Sequence, residues 1–165
     1  MYNRVKIMNQ FVAKVLCLLL LALVAAVPAV SDDGVEQGRA MIKAERENMI
    51  RAELHMTEEE AARFWPTYSK YRSEHDEIME EYGQLIADYL RRYDDADLSN
   101  KYADKMLKSF FKNKEKRLAL QKRYLSRFKA ALPAMKVARF YQLENKFNID
   151  VESQLSRLVP LVDPS

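Results

Sequence analysis

TEEEAARFWPTYSKYRSEHDEIMEEYGQLIADYLRRY, residues 57–93, is the stretch whose reading decides the fold. It opens on Thr57-Glu58-Glu59-Glu60, a capping box: the Thr57 hydroxyl can accept from the Glu60 amide while the Glu60 carboxylate reaches back. Apolar and aromatic residues then recur at Ala61, Phe64, Tyr68, Tyr71, His75, Ile78, Tyr82, Leu85 and Tyr89. The steps alternate three and four, the spacing of a helix face that packs along another helix. Trp65, Met79, Ile86 and Leu90 widen the stripe. Pro66 removes one helical hydrogen bond and crowds the preceding turn, so a kink near Phe64–Pro66 is expected, or a short helix and a fresh start.

Working outward, Asp94-Asp95-Ala96-Asp97-Leu98 reads as a turn and Ser99 as the N-cap of a following helix. That helix carries Leu107, Phe111, Leu118, Gln121, Leu125, Phe128 and Leu132 on one face, which predicts its core side. Pro133 suits the first turn of a fourth helix, with Val137, Phe140, Tyr141, Phe147, Val151, Leu155 and Leu158 as its apolar positions and Pro160 as its stop. Before residue 57 a thinner stripe (Gly38, Ile42, Met49, Ala52, Met56) predicts a partly exposed first helix. No segment shows the alternating, β-branched pattern of a strand, and the good helix formers dominate. The fold class expected is all-α: helices at about 35–54, 57–93, 99–131 and 133–158, in a single domain spanning residues 30–165.

Charge supports a long antiparallel hairpin of the second and third helices. Residues 32–97 hold 18 acids and 9 bases, and residues 98–165 hold 15 bases and 6 acids. A turn near Ala96 would set Glu74, Asp76, Glu77, Glu80 and Glu81 beside Lys108, Lys112, Lys114, Lys116 and Arg117. Two separately solvated faces of opposite sign are the alternative. A helix of some 36 residues is about 54 Å long, while a compact domain of this size has a radius of gyration of about 14 Å. An elongated shape or a homodimer follows, with the homodimer favoured.

The first thirty residues give an address. Arg4, Lys6 and Lys14 precede an apolar run from Val15 to Val27, followed by the small residues of Val-Pro-Ala-Val-Ser, the layout of a secretory signal peptide over residues 1–29. Cleavage is expected before Val30 or before Asp32, with an uncleaved anchor as the alternative. The run is short for a membrane span, which needs about 20 residues, and no stable span is expected after cleavage. The expected location is the periplasm. The segment after residue 29 has 24 basic and 24 acidic side chains, so the sequence pI of 8.9 owes much to the first thirty residues. The one cysteine, Cys17, sits inside the apolar run without a lipoprotein-like cleavage box, so the exported chain is expected to have no disulfide and no cysteine metal site.

Chemistry-bearing patterns are few. His55 and His75 fall on different helices. His75 sits on the seam, where a hydrogen-bonded core histidine is the expectation. Glu74, His75, Asp76 and Met79 could make only a weak metal site, because no second His or Cys lies at ligand spacing. There is no Gly-x-Ser-x-Gly, no phosphate-cradling glycine loop and no cysteine–histidine couple. Hence no enzyme, no metal and no cofactor is expected. The basic helix Lys101 to Lys129 would suggest nucleic acid in a cytoplasmic protein. Export argues against that and for anionic lipid headgroups or an acidic client. Numerous tyrosines and methionines suit either adaptable interfaces or a core with hydroxyls reaching outward.

One segment recurs. Met56-Thr-Glu-Glu-Glu-Ala-Ala-Arg63-Phe64-Trp65 realigns 76 residues later with Leu132-Pro-Ala-Met-Lys-Val-Ala-Arg139-Phe140-Tyr141. Both place an apolar residue at a helix start and an Arg-aromatic-aromatic triplet two turns in. Two unrelated helix starts with core aromatics are the plainer reading. On this layout and these two starts the chain resembles the Spy/CpxP family of periplasmic helical proteins, which carry two Leu-Thr-x-x-Gln motifs. Here Met56 stands for the Leu and Glu60 for the Gln, while Leu132-Pro133-Ala134-Met135-Lys136 keeps the Leu. The resemblance implies cradle-shaped dimers of long helices. It implies either an ATP-independent chaperone for unfolded or envelope proteins, or a regulator docking on the periplasmic domain of an envelope-stress or metal-stress sensor. Met56, Thr57, Glu60, Arg63, Phe64, Trp65, Pro66, Leu132, Pro133, Arg139, Phe140 and Tyr141 would be its motif positions. Lys108, Lys112, Lys116, Tyr71 and Tyr82 are the candidate client-contacting residues.

Overall fold

The computed structural model describes residues 32–163, and no strand occurs among them. Helices α1 (Asp32–Leu54), α2 (Glu58–Asp94), α3 (Asn100–Ala131) and α4 (Ala134–Leu158) account for nearly all of them. The expected signal peptide and Cys17 lie outside the described residues. None of the described helices is long and apolar enough to cross a membrane. The residues gather into two compact units, one formed by 32–54 with 140–163 and the other by His55–Arg139.

In the His55–Arg139 unit, α2 starts as its sequence dictates. The Glu60 amide donates to Thr57 Oγ1 at 3.2 Å and the Thr57 amide donates to Glu60 Oε2 at 2.8 Å. The helix then runs through Pro66 to Asp94 in one piece, so of the two alternatives at Pro66 the short helix with a fresh start does not occur. The proline costs one backbone bond, but Phe64 and Tyr68 on either side of it are buried, and their packing holds the turn. The far end closes with a Schellman motif: the Asp97 amide reaches the Arg92 carbonyl at 2.8 Å and the Ala96 amide reaches that of Tyr93 at 3.2 Å. Ala96 takes the left-handed position at φ 53, a place usually given to glycine. Ser99 then caps α3 by accepting from the Tyr102 amide at 3.2 Å.

Contacts between α2 and α3 run in opposite order along the two helices. Phe64 meets Phe128, Glu81 meets Lys116, and Tyr82 meets Phe110. At the centre the rings of Phe64, Tyr71, Tyr124 and Phe128 lie 5.5–6.1 Å apart in tilted or edge-on pairs. Such pairs add about 0.5–1.5 kcal/mol each beyond the area they bury. Tyr124 donates its hydroxyl to Glu74, whose other oxygen takes Arg123. Burial first, and the Glu74 carboxylate second, push the Tyr124 phenol above its ordinary value. Asn113, also buried, donates to the Ile78 carbonyl at 2.8 Å. His75 is a buried core histidine as expected. Arg72 lies 3.2 Å from its Nδ1, and because guanidinium can only donate, that nitrogen accepts.

The expected core face of α3 is corrected. The buried residues are Asn113, Leu120, Tyr124, Phe128 and Ala131, whereas Leu107, Phe111, Leu118 and Leu125 are exposed. At about 100° per residue, the helix is turned by roughly a third of a revolution from the face its leucines suggest. Only Phe128 and Leu132 of the expected set are buried.

The other unit carries a pair that the apolar pattern does not announce. Arg46 of α1 lies 3.4 Å from both oxygens of Glu144 of α4, with its guanidinium 4.5 Å from the centre of the Phe147 ring. Glu144 is fully buried and Arg46 nearly so. The buried apolar residues here include Ile50, Leu54, Phe140, Leu143, Phe147 and Leu155. Among the described side chains of α1 the buried ones are Arg46, Ile50 and Leu54, while of the thin expected stripe Ile42 and Met49 are half-buried and Ala52 is exposed. Leu158, expected inside, is exposed as well.

Candidate binding surface

The two recurring helix starts meet. Glu60 and Lys136 occupy the same place in the two copies, and Lys136 Nζ donates to Glu60 Oε2 at 2.6 Å and to the His55 carbonyl at 2.8 Å. Hydrogen bonds from Lys136 and then from the Thr57 amide hold the Glu60 carboxyl below its ordinary range. Equivalent aromatics behave alike. Phe64 and Phe140 are fully buried, and each sits edge-on to the next ring, Trp65 at 5.2 Å and Tyr141 at 5.3 Å. Arg63 and Arg139 are both exposed. Burial, with the Glu144 charge second, pushes the Tyr141 phenol up to about 12. Met56, Thr57, Pro66, Leu132 and Pro133 complete the motif positions, and only Leu132 of these is buried. This region is a structural clasp, and what it offers chemically is order at two helix starts.

A surface able to meet a partner lies on α3. Leu107, Phe111, Leu118 and Leu125 are 50%, 57%, 51% and 36% exposed, at steps of four, seven and seven residues. The helix carries eleven Lys and Arg against two acids, Asp104 and Glu115. The candidate lysines divide. Lys108 is exposed and pairs with Asp104 at 2.6 Å, and Lys112 is exposed. Lys116 is half-buried and reaches Glu81 at 2.8 Å.

The candidate tyrosines are corrected more sharply. Tyr71 is wholly buried between Tyr124 and Phe128, so it belongs to the core and presents nothing to a client. Tyr82 is half-buried, with Phe110 6.3 Å away and the Arg117 guanidinium 5.5 Å from its ring. Tyr102, beside Asp88 and under Arg92, has its phenol pushed up to about 12, by burial first and by the Asp88 carboxylate second. Sequence reasoning missed the exposed stripe because it assigned those four residues to the core. It missed Arg46–Glu144 because charged residues on a helix are normally solvated.

Among the described residues, no group of three or more His, Cys, Asp or Glu side chains converges to hold a metal ion. Comparison of the chain with family models, with curated proteins and with solved structures finds no match in any of the three.

Proposed function

We propose that this chain is a periplasmic, cofactor-free, ATP-independent chaperone of the Spy/CpxP kind, which shields unfolded or stress-damaged envelope proteins. The observation that carries the reading is the number of large apolar side chains left exposed on helices that also present lysines. Met135 and Ile149 on α4 are 83% and 54% exposed, which adds to the count of exposed apolar residues on α3. Unfolded chains expose mixed apolar and charged segments, and a helical surface of deformable methionine, leucine and lysine fits many of them without a shaped cleft. The client flank is the one holding Lys108, Lys112 and Lys116, with Tyr82 at its edge. Pairing of two copies belongs to the same proposal, since α2, at 37 residues, is about 56 Å long.

The test adds the signal-free protein to an aggregating unfolded substrate and follows light scattering without ATP. Suppression that saturates at a fixed ratio per dimer, and that is lost on reversing Lys108, Lys112 and Lys116 to Glu with helicity intact, is the expected outcome. Absence of suppression by folded protein would contradict the reading. The one-sided charge of α3 favours a second reading, docking on an acidic face of an envelope-stress sensor, which selective capture of one sensor domain without general protection would support.

A further inference from the structure

We propose that the outer face of α3 is a seat for an anionic bilayer surface. The inference goes beyond client binding: it shares the exposed apolar line with that reading but takes other lysines, those bordering the line. Leu107, Phe111, Leu118 and Leu125 form one apolar line about 27 Å long. At about 100° per residue, Lys114, Lys122 and Lys129 fall within about 60° of every member of that line, on its two borders. Of the client-flank lysines, Lys112 and Lys116 lie at least about 100° round from it, and Lys108 lies about 60° to 100° from its members. The acids of α2 that reach α3 include Glu74, Glu81 and Asp88, which do so through Arg123 and Tyr124, through Lys116, and through Tyr102, all away from the line. The two acids of α3 also lie on this side, Asp104 at the start of the line, where it pairs with Lys108, and Glu115 beside its middle.

Three observations choose this occupant. A helix lying in a bilayer interface needs an apolar line edged by Lys or Arg, the apolar side chains entering the acyl boundary and the lysine stems rising to the phosphates. Leu, Phe and Lys stand here in those places. A helical protein partner fits worse. Lys114 sits at a seam position between the apolar residues, and a packed helix would bury its charge, at a desolvation cost. A second copy laid α3 on α3 would oppose two helices that each carry eleven bases and two acids. An anionic bilayer accepts the line, lets Lys114 rise from its place over the Phe110 ring (4.6 Å) to the headgroups, and complements the charge.

The test places an environment-sensitive fluorophore on a cysteine at Leu118→Cys, and separately at Ala130→Cys on another side of α3, each in the full chain with Cys17→Ser. Both positions are exposed, so the labels leave the core intact. A reporter at 118 reads the seat itself, whatever residues 1–29 do at the membrane. Vesicles of phosphatidylglycerol are expected to blue-shift the label at 118 and not that at 130, and vesicles of phosphatidylcholine to shift neither. Reversing Lys114, Lys122 and Lys129 to Glu is expected to weaken the shift on the order of a hundredfold in lipid concentration, at roughly fivefold per lysine for loss of its attraction alone. Should that variant lose helicity, raising the salt on the original protein replaces it and must weaken the shift. No shift at 118 with anionic vesicles overturns the proposal, as do equal shifts at 118 and 130, indifference to headgroup charge, or a shift that follows protein concentration without lipid, which would make a second copy the occupant. A shift induced by an acidic protein and not by vesicles overturns it in favour of that partner.

Discussion

The two long helices of the His55–Arg139 unit use their apolar residues in opposite ways. On α2 the residues that repeat by threes and fours are those that pack: Phe64, Tyr68, Tyr71, His75 and Tyr89 are buried. On α3 the equally regular Leu107, Phe111, Leu118 and Leu125 face outward, and the inner face is built from Asn113, Leu120, Tyr124, Phe128 and Ala131. Periodicity therefore states that a helix has an apolar line. Which line faces the core is settled by the partner. Here α2 offers aromatic rings, the Glu74 carboxylate and the Ile78 carbonyl, and Tyr124, Phe128 and Asn113 answer them better than leucines could.

The largest test of that contrast is a pair of truncations on α3. Phe128→Ala, which removes a fully buried ring touching Phe64, Tyr71 and Tyr124, is expected to cost about 3–5 kcal/mol in denaturant unfolding. Leu118→Ala is expected to stay within about 0.5 kcal/mol. Comparable losses would erase the distinction between the two faces. Next comes Tyr124→Phe, which takes the hydroxyl from Glu74 and is expected to cost about 1–2 kcal/mol. A neutral result would mean that this bond adds nothing to the ring packing. Smaller still is Ala96→Gly at the turn joining the helices. A left-handed alanine carries strain of about 1–2 kcal/mol, and glycine returns part of it as unfolded-state entropy, so a gain of about 0.5–1 kcal/mol is expected.

The clasp gives a pH-dependent comparison. The Glu60 carboxyl is held below its ordinary 4.5 in the folded state, so its contribution is present above pH 4.5 and is lost as the pH falls through the lower folded value. The wild type is expected to exceed Glu60→Gln in stability at neutral pH, with the gap closing in acid. A gap that does not depend on pH would show that the charge on Glu60 is not what Lys136 and the Thr57 amide hold.

Legibility followed how local each cause is. The capping box at Thr57 and Glu60, the cap at Ser99 and the four helices were readable because each depends on a few adjacent residues. The α2 seam was readable because its aromatics are bulky enough to need cover. The orientation of α3 was not, since counting leucines ignores that a tyrosine whose hydroxyl reaches Glu74 is a good core residue. Lys136 belongs to the recurrence, yet its pairing with Glu60 needs two chain segments 76 residues apart to meet. The burial of Tyr71 was not legible, because a tyrosine on a seam looks the same from sequence whether it is covered or not. Arg46 and Glu144 were hidden by the general rule that charges stay in water.

The most direct test of the central claim compares thiol labelling at two positions on nearly opposite sides of α3. Leu118→Cys and Leu120→Cys are made separately in the Cys17→Ser chain and treated with a maleimide under native conditions. The account predicts that Cys at 118 reacts at close to the rate in denaturant, while Cys at 120, where Leu120 is buried, is protected by orders of magnitude. The reverse order, with 118 protected and 120 reactive, would contradict it, because the leucine line would then be the core and the outer face would hold no seat.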